Sequence, residues 1–214
     1  MRFFPAVVFI FATLSGAVCR AGEDSSAVLR EVNLARTSPR AYAQILLAQQ
    51  NDFRSVEERR ALQEAVHFLE HTRPLPPLTS SSGLAMSAMS HVQNQGGTGA
   101  VGHRGTDSSS PWDRIGRYGQ WLGCVGENIA YGYHDARRIV SNLIVDAGVG
   151  GRGHRKNLFN PDFRVVGVAC GTHARYGSMC VMDFAGSYDE GSGAVSRTRT
   201  MNAGWSGPGS RIAL

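Results

Sequence analysis

The sequence predicts an α+β class, because segments of helical periodicity fill its first half and two β-rich segments joined by a short turn come late. The helical signal is apolar residues recurring three and four apart. The strand signal is Val165, Val166 and Val168, followed past a glycine-containing turn by Val181 and Phe184. With 214 residues, 42% of them hydrophobic, the chain suffices for one well-buried domain and is short for two.

Ahead of the first helix, Met1-Arg2, the apolar run Phe3 to Leu14 and the small residues around Ser15 to Ala21 have the three-part layout of a secretory signal peptide over 1–21. The apolar run is too short to span a bilayer, which takes about 18 or more apolar residues. Cleavage after Ala17, Cys19 or Ala21 fits equally. A soluble, secreted protein with no transmembrane anchor is expected. Its formal charge of +5 falls by two when Arg2 and Arg20 leave with the leader. That mild basicity comes with no nucleic-acid motif, so a nucleic-acid partner is not expected.

In chain order, Ser26 to Arg36 reads as a helix through Val28, Val32 and Ala35. Ser38-Pro39 restarts a second, with Pro at the favoured first position, and Tyr42, Ile45 and Leu46 continue the stripe. Val56 to His71 is a third, carried by Leu62, Val66 and Leu69. His67 and His71, four apart, are able in principle to hold a metal, but they point away from that stripe and no third ligand is evident. Arg73 to Pro77, with three prolines, must run as an extended connector. Gly83 to Gln95 is helical through Leu84, Ala88 and Val92. His91 falls within this stripe, which predicts a buried imidazole with a hydrogen-bond partner.

The glycine- and serine-rich stretch from Gly96 to Ser110 places His103 on a loop, and Ser110-Pro111 opens a short helical turn carrying Trp112, Asp113 and Arg114. Glu127, between Gly126 and the run Asn128-Ile129-Ala130, reads as a semi-buried carboxylate on a strand or tight turn. Asp135 caps a helix from Ala136 to Ala147 through Ile139, Val140, Leu143 and Ile144. A glycine-rich turn from Gly148 to Gly153 then leads to His154 on irregular backbone. Strands are expected over Phe163 to Cys170 and Ser178 to Ala185, and His134 and His173 in solvent-facing turns. A domain over 26–188 is followed by a flexible Gly/Ser-rich tail over 189–214.

Cys170 and Cys180 flank a turn-like segment with Gly171 and Gly177. In an oxidising compartment they are expected to bridge across a hairpin, although spacing alone never fixes connectivity. Cys124 is then left over unless Cys19 survives processing. The absence of any Cys-x-x-Cys pair argues against a zinc ribbon.

The ordered set of His103 after Gly102, Gly126-Glu127-Asn128, Gly153-His154-Arg155 with Asn157 and Pro161, and Gly167-Val168 resembles the CAP superfamily. That superfamily unites cysteine-rich secretory, antigen 5 and pathogenesis-related proteins, and the chain resembles its SCP-like extracellular branch. The resemblance implies an α-β-α sandwich, with a small, mainly antiparallel sheet between helical layers. It also implies a cleft in which His103 and His154 hold a divalent metal ion such as Zn2+, with Glu127 as one acid. The second acid falls at Asp146 or Ala147, and by helical angle Ala147 points further inward, leaving Asp146 at the rim. Family resemblance makes a lipid, a sterol or an extracellular surface partner the expected ligand. Two other readings stand beside it. One is a metal-dependent hydrolase in which Glu127, with Asp146 as the weaker candidate, activates a metal-bound water. The other is a scaffold whose polar centre is only structural. No Gly-x-Ser-x-Gly motif supports a serine hydrolase.

Overall fold

The structure, a computed structural model, describes residues 17–190. The expected leader, apart from 17–21, and the tail beyond 190 lie outside the described residues. Seven α-helices and four strands are found among them.

α1 (Ala17–Thr37) extends the predicted first helix at its N-terminal side. α2 (Pro39–Ala48) starts at the predicted proline, although the Ser38 side chain makes no capping bond. α3 (Val56–His71) matches its prediction. Ser55 and Glu58 form a reciprocal capping box there, which satisfies two amide groups that the first turn leaves open. β1 (Thr79–Ser80), which the sequence did not signal, follows the proline connector. α4 (Ser82–Gly96) is capped by Ser81, and α5 (Pro111–Tyr118) by a second capping box, Ser110 with Asp113. β2 (Gly119–Tyr131) is a long strand running through Gly126-Glu127-Asn128. α6 is Ala136–Val145, two residues shorter than expected. His154 lies within α7 (Gly153–Leu158), not on the irregular backbone expected. β3 (Val165–His173) and β4 (Gly177–Glu190) complete the chain.

The sheet order is β1-β3-β4-β2, with β1 parallel to β3 and the other pairs antiparallel. Strand alternation sends successive side chains to opposite faces. Val125, Ile129, Ala169, Val181 and Ala185 pack with Leu84, Ala88 and Val92 of α4 and Ile115 of α5. Ala130, Val166, Met182 and Phe184 face the other way, into a larger cluster with Val28 and Val32 of α1, Leu46 of α2, Leu69 of α3 and Ile144 of α6. This is the three-layer sandwich. Gly167 explains how closely α4 lies on β3, since a Cβ there would sit 2.0 Å from the backbone of Leu84 and Ala85.

Cys170 and Cys180 are direct cross-strand neighbours on β3 and β4 and form the expected disulfide. Cys124 is a free, half-buried thiol whose pKa burial and Asp162 push up, the reverse of what a nucleophile needs. His173 departs from its prediction. It is the last residue of β3, 2% exposed, and donates from Nε2 to Ala100 O at 2.8 Å while Nδ1 accepts from Tyr176 N. Its turn is local, but the loop preceding α5 folds over it.

Candidate functional site

The loop carrying His103 is held from below by α4 and the sheet. The Gly102 carbonyl accepts from His91 Nε2 at 3.0 Å and Gln95 Nε2 at 2.8 Å, and the Gly102 N–H donates to the Tyr131 hydroxyl. His91 is fully buried with a hydrogen-bond partner, as its stripe position predicted. Only the far side of its ring, Nδ1, lacks one. Burial drives its pKa down to about 4, so it stays neutral near pH 7.

His103 points back to the sheet. Its Nδ1 lies 2.8 Å from Glu127 Oε1, and Glu127 Oε2 accepts from Arg114 Nη2 at 2.6 Å. Arg114 also donates to the His103 carbonyl at 3.1 Å, so one guanidinium fixes both the carboxylate and the loop. Glu127 and Arg114 are buried, while the His103 side chain keeps 14% exposure.

Directly opposite Glu127 on β4 is Asp183, also fully buried, whose Oδ2 accepts from Ser87 Oγ of α4 at 2.5 Å. Burial raises both carboxyls, Asp183 well above its ordinary value. Arg114 pulls Glu127 back, so the proton belongs on Asp183. Two buried carboxylates facing one cation do not both ionise. Asp183 Oδ1 has no hydrogen-bond partner, which fits a carboxyl that is not ionised.

His154 is built from the opposite layer. Asp146 accepts from its ring Nδ1 at 2.7 Å and from its backbone N–H at 2.9 Å. This corrects the expectation that Asp146 stands at the rim behind Ala147. Asp146 is 4% exposed, and Ala147 is the less buried of the two. The helical angle fails because α6 ends at Val145, leaving Asp146 as its C-cap in the left-handed region, φ 56°. The buried guanidinium of Arg155 donates to the last carbonyls of α6, Ile144 O and Val145 O, and so fixes where the helix stops. Asn128 donates to the His154 carbonyl at 3.0 Å and accepts from Asn157 Nδ2 at 2.9 Å, tying α7 to β2.

The two histidines thus share one design, an Nδ1 held by a buried carboxylate. Burial, then the neighbouring His154 and Arg114, lower the His103 pKa to about 4, so its ring is neutral at pH 7 and donates from Nδ1. Nε2 is left with its lone pair, the state in which a carboxylate-oriented imidazole ligates a metal. Among the described residues, no three His, Cys, Asp or Glu side chains converge as a metal-binding group. His103 and His154 are the imidazoles that would hold a cation here, each with a carboxylate behind it.

Residues 30–184 match the family model of CAP, the cysteine-rich secretory protein family. The chain belongs to the CAP family. Its CAP domain is 30% identical over 112 residues to the uncharacterized protein YkwD of Bacillus subtilis (strain 168), a match covering 52% of this chain and 40% of that protein. Among solved structures, it resembles an extracellular protein containing a SCP domain from Bacillus anthracis str. Ames, with 22% identity, a TM-score of 0.43, and coverage of 63% of this chain and 43% of the other. It also resembles an outer surface protein from Borrelia burgdorferi, with 20% identity, a TM-score of 0.46, and coverage of 61% and 92%. The chain spans less than half the length of the first two of these relatives.

Sequence reasoning missed three members of the CAP centre. Arg114 was placed only on a helical turn, and Ser87 and Asp183 were not singled out. The available signal was an acid at an inward position of a strand, where apolar neighbours Val181 and Ala185 mark the buried face. His67 and His71 are exposed on α3 as expected.

Proposed function

We propose that this is a secreted CAP domain whose His103 and His154 bind a divalent cation such as Zn2+ through Nε2, and that it acts as a binding module. The observation that carries this reading is the pairing of each Nδ1 with its own buried carboxylate, His103 with Glu127 and His154 with Asp146. Bound there, the cation would supply a point of positive charge for an anionic or carbonyl group of a partner. Glu127 holds His103 in one tautomer, Asp146 does the same for His154, and Arg114 keeps Glu127 ionised.

The same geometry weighs against the hydrolase. Glu127 is fully buried and each of its oxygens already accepts a hydrogen bond, from His103 and from Arg114, so this carboxylate positions a ligand rather than activating a water. An amphiphile is the favoured partner class. A cleft of about 500 Å³ beside α2 and α3 is lined by Leu47, Phe53, Leu62 and Val66, with Arg54 and Arg59 available to an anionic head group. Among the described residues no helix is long and apolar enough to cross a membrane.

Thermal shift with Zn2+ and then a chelator tests the metal reading, with wild type expected to gain stability and His103→Ala to lose most of that gain. An unchanged zinc response in His103→Ala removes the central pair as the site. Saturable binding of a fluorescent fatty acid or sterol, weakened in Leu47→Lys at the exposed wall of the cleft, tests the amphiphile reading, and no binding across the panel rejects it.

A further inference from the structure

We propose that His67 and His71 on α3 form a second metal site, a two-imidazole chelate for a divalent transition ion, separate from the central pair. The residues stand one turn apart on the outer face of the helix, and both are exposed. Their rings lie with centroids 4.2 Å apart and planes tilted by 40°. The His67 carbonyl lies 2.7 Å from His71 Nδ1 and can only accept, so that nitrogen carries the proton and Nε2 of His71 keeps its lone pair.

The segment reads His67-Phe68-Leu69-Glu70-His71, the His-x-x-Glu-His spacing by which one helix presents two zinc ligands and a carboxylate. Its inner side, Leu69 with Phe68, is packed into the large core cluster, and the capping box at Ser55 fixes the other end of the helix. The pair is therefore mounted on rigid backbone. No third ligating group converges on it among the described residues, so water or an incoming ligand completes the coordination sphere and no peptidase chemistry follows. Imidazole donors select Cu2+, Ni2+ and Zn2+, with Cu2+ the tightest.

The site is independent of the central pair, and its test separates the two. Cu2+ is titrated calorimetrically into the protein carrying His103→Ala and His154→Ala, and into the same background with His67→Ala added. One equivalent is expected in the first and none in the second. Because those central substitutions touch buried partners, the experiment is repeated in the otherwise wild-type chain, where His67→Ala or His71→Ala each remove one equivalent. Both are solvent-facing changes that leave the core alone. Cu2+ should also raise the melting temperature through α3, since histidines four apart meet only while the helix is formed. Equal Cu2+ stoichiometry with and without His67 overturns the proposal, as does the absence of any Cu2+ binding once the central pair is removed.

Discussion

Asp146 accepts hydrogen bonds from both the backbone N–H and the ring Nδ1 of His154, so one carboxylate decides where that histidine sits and which nitrogen it offers. Asn is the informative replacement, because it tolerates the left-handed backbone at this position but cannot accept with both terminal atoms. Asp146→Asn is expected to melt within a few degrees of wild type and to lose most of the zinc-induced shift. A full zinc shift in that variant would show that His154 needs no such orienting.

Glu127 is the anionic hub of the opposite half, shared by His103 and Arg114. Replacing it with Gln leaves a buried guanidinium without its counter-charge, a loss of about 3–5 kcal/mol in urea unfolding. Adding Arg114→Met should recover part of that loss, because the two residues act as one unit. Strict additivity of the two substitutions would contradict the coupling.

The neutral state assigned to Asp183 makes an unusual demand on mutagenesis. A neutral Asn there still accepts from Ser87 and fills the same space, so Asp183→Asn should cost no more than about 1 kcal/mol. Asp183→Ala leaves the buried Ser87 hydroxyl without its acceptor and should cost about 2–3 kcal/mol. Equal losses in the two variants, measured by denaturant titration, would place a negative charge on Asp183 instead.

His91 sets a pH dependence. Its folded pKa is about 4 against an ordinary 6.5, so between those values the unfolded chain binds the additional proton. Stability contributed by the neutral ring is complete above pH 6.5 and declines as pH falls toward 4, by roughly 1–3 kcal/mol. His91→Gln keeps a donor for the Gly102 carbonyl and should flatten part of that decline. His103, with its pKa lowered in the same direction, supplies the remainder. An identical profile in the variant would assign the acid sensitivity elsewhere.

Local pattern was sufficient for much of this architecture. α3 could be bounded from its apolar spacing, and the late hairpin and its disulfide from valines, glycines and two cysteines. His103, Glu127 and His154 were legible as an ordered set because their motifs, taken in order, resemble those of the CAP family. Local reasoning failed where a distant residue decides the outcome. Asp146 could not be placed while α6 was assumed to continue, and what stops the helix is Arg155, nine residues further on. His173 looked exposed because the loop around Ala100 that covers it is 73 residues away. Asp183 pairs with a glutamate 56 positions upstream, through a register that only the folded sheet defines.

Glu127 and Asn128 are consecutive on β2, an edge strand, and alternation aims one at the layer of α4 and α5 and the other at α7. His103 is reached through the first and the His154 backbone through the second. A cation joining the two imidazoles would therefore close a ring that passes through both helical layers and a single peptide unit between them. Occupancy of that ring would act mechanically, as a rivet set at the rim of the sandwich. Its clearest signature should be slower amide exchange in α5 and α7 together, two helices that share no sheet face.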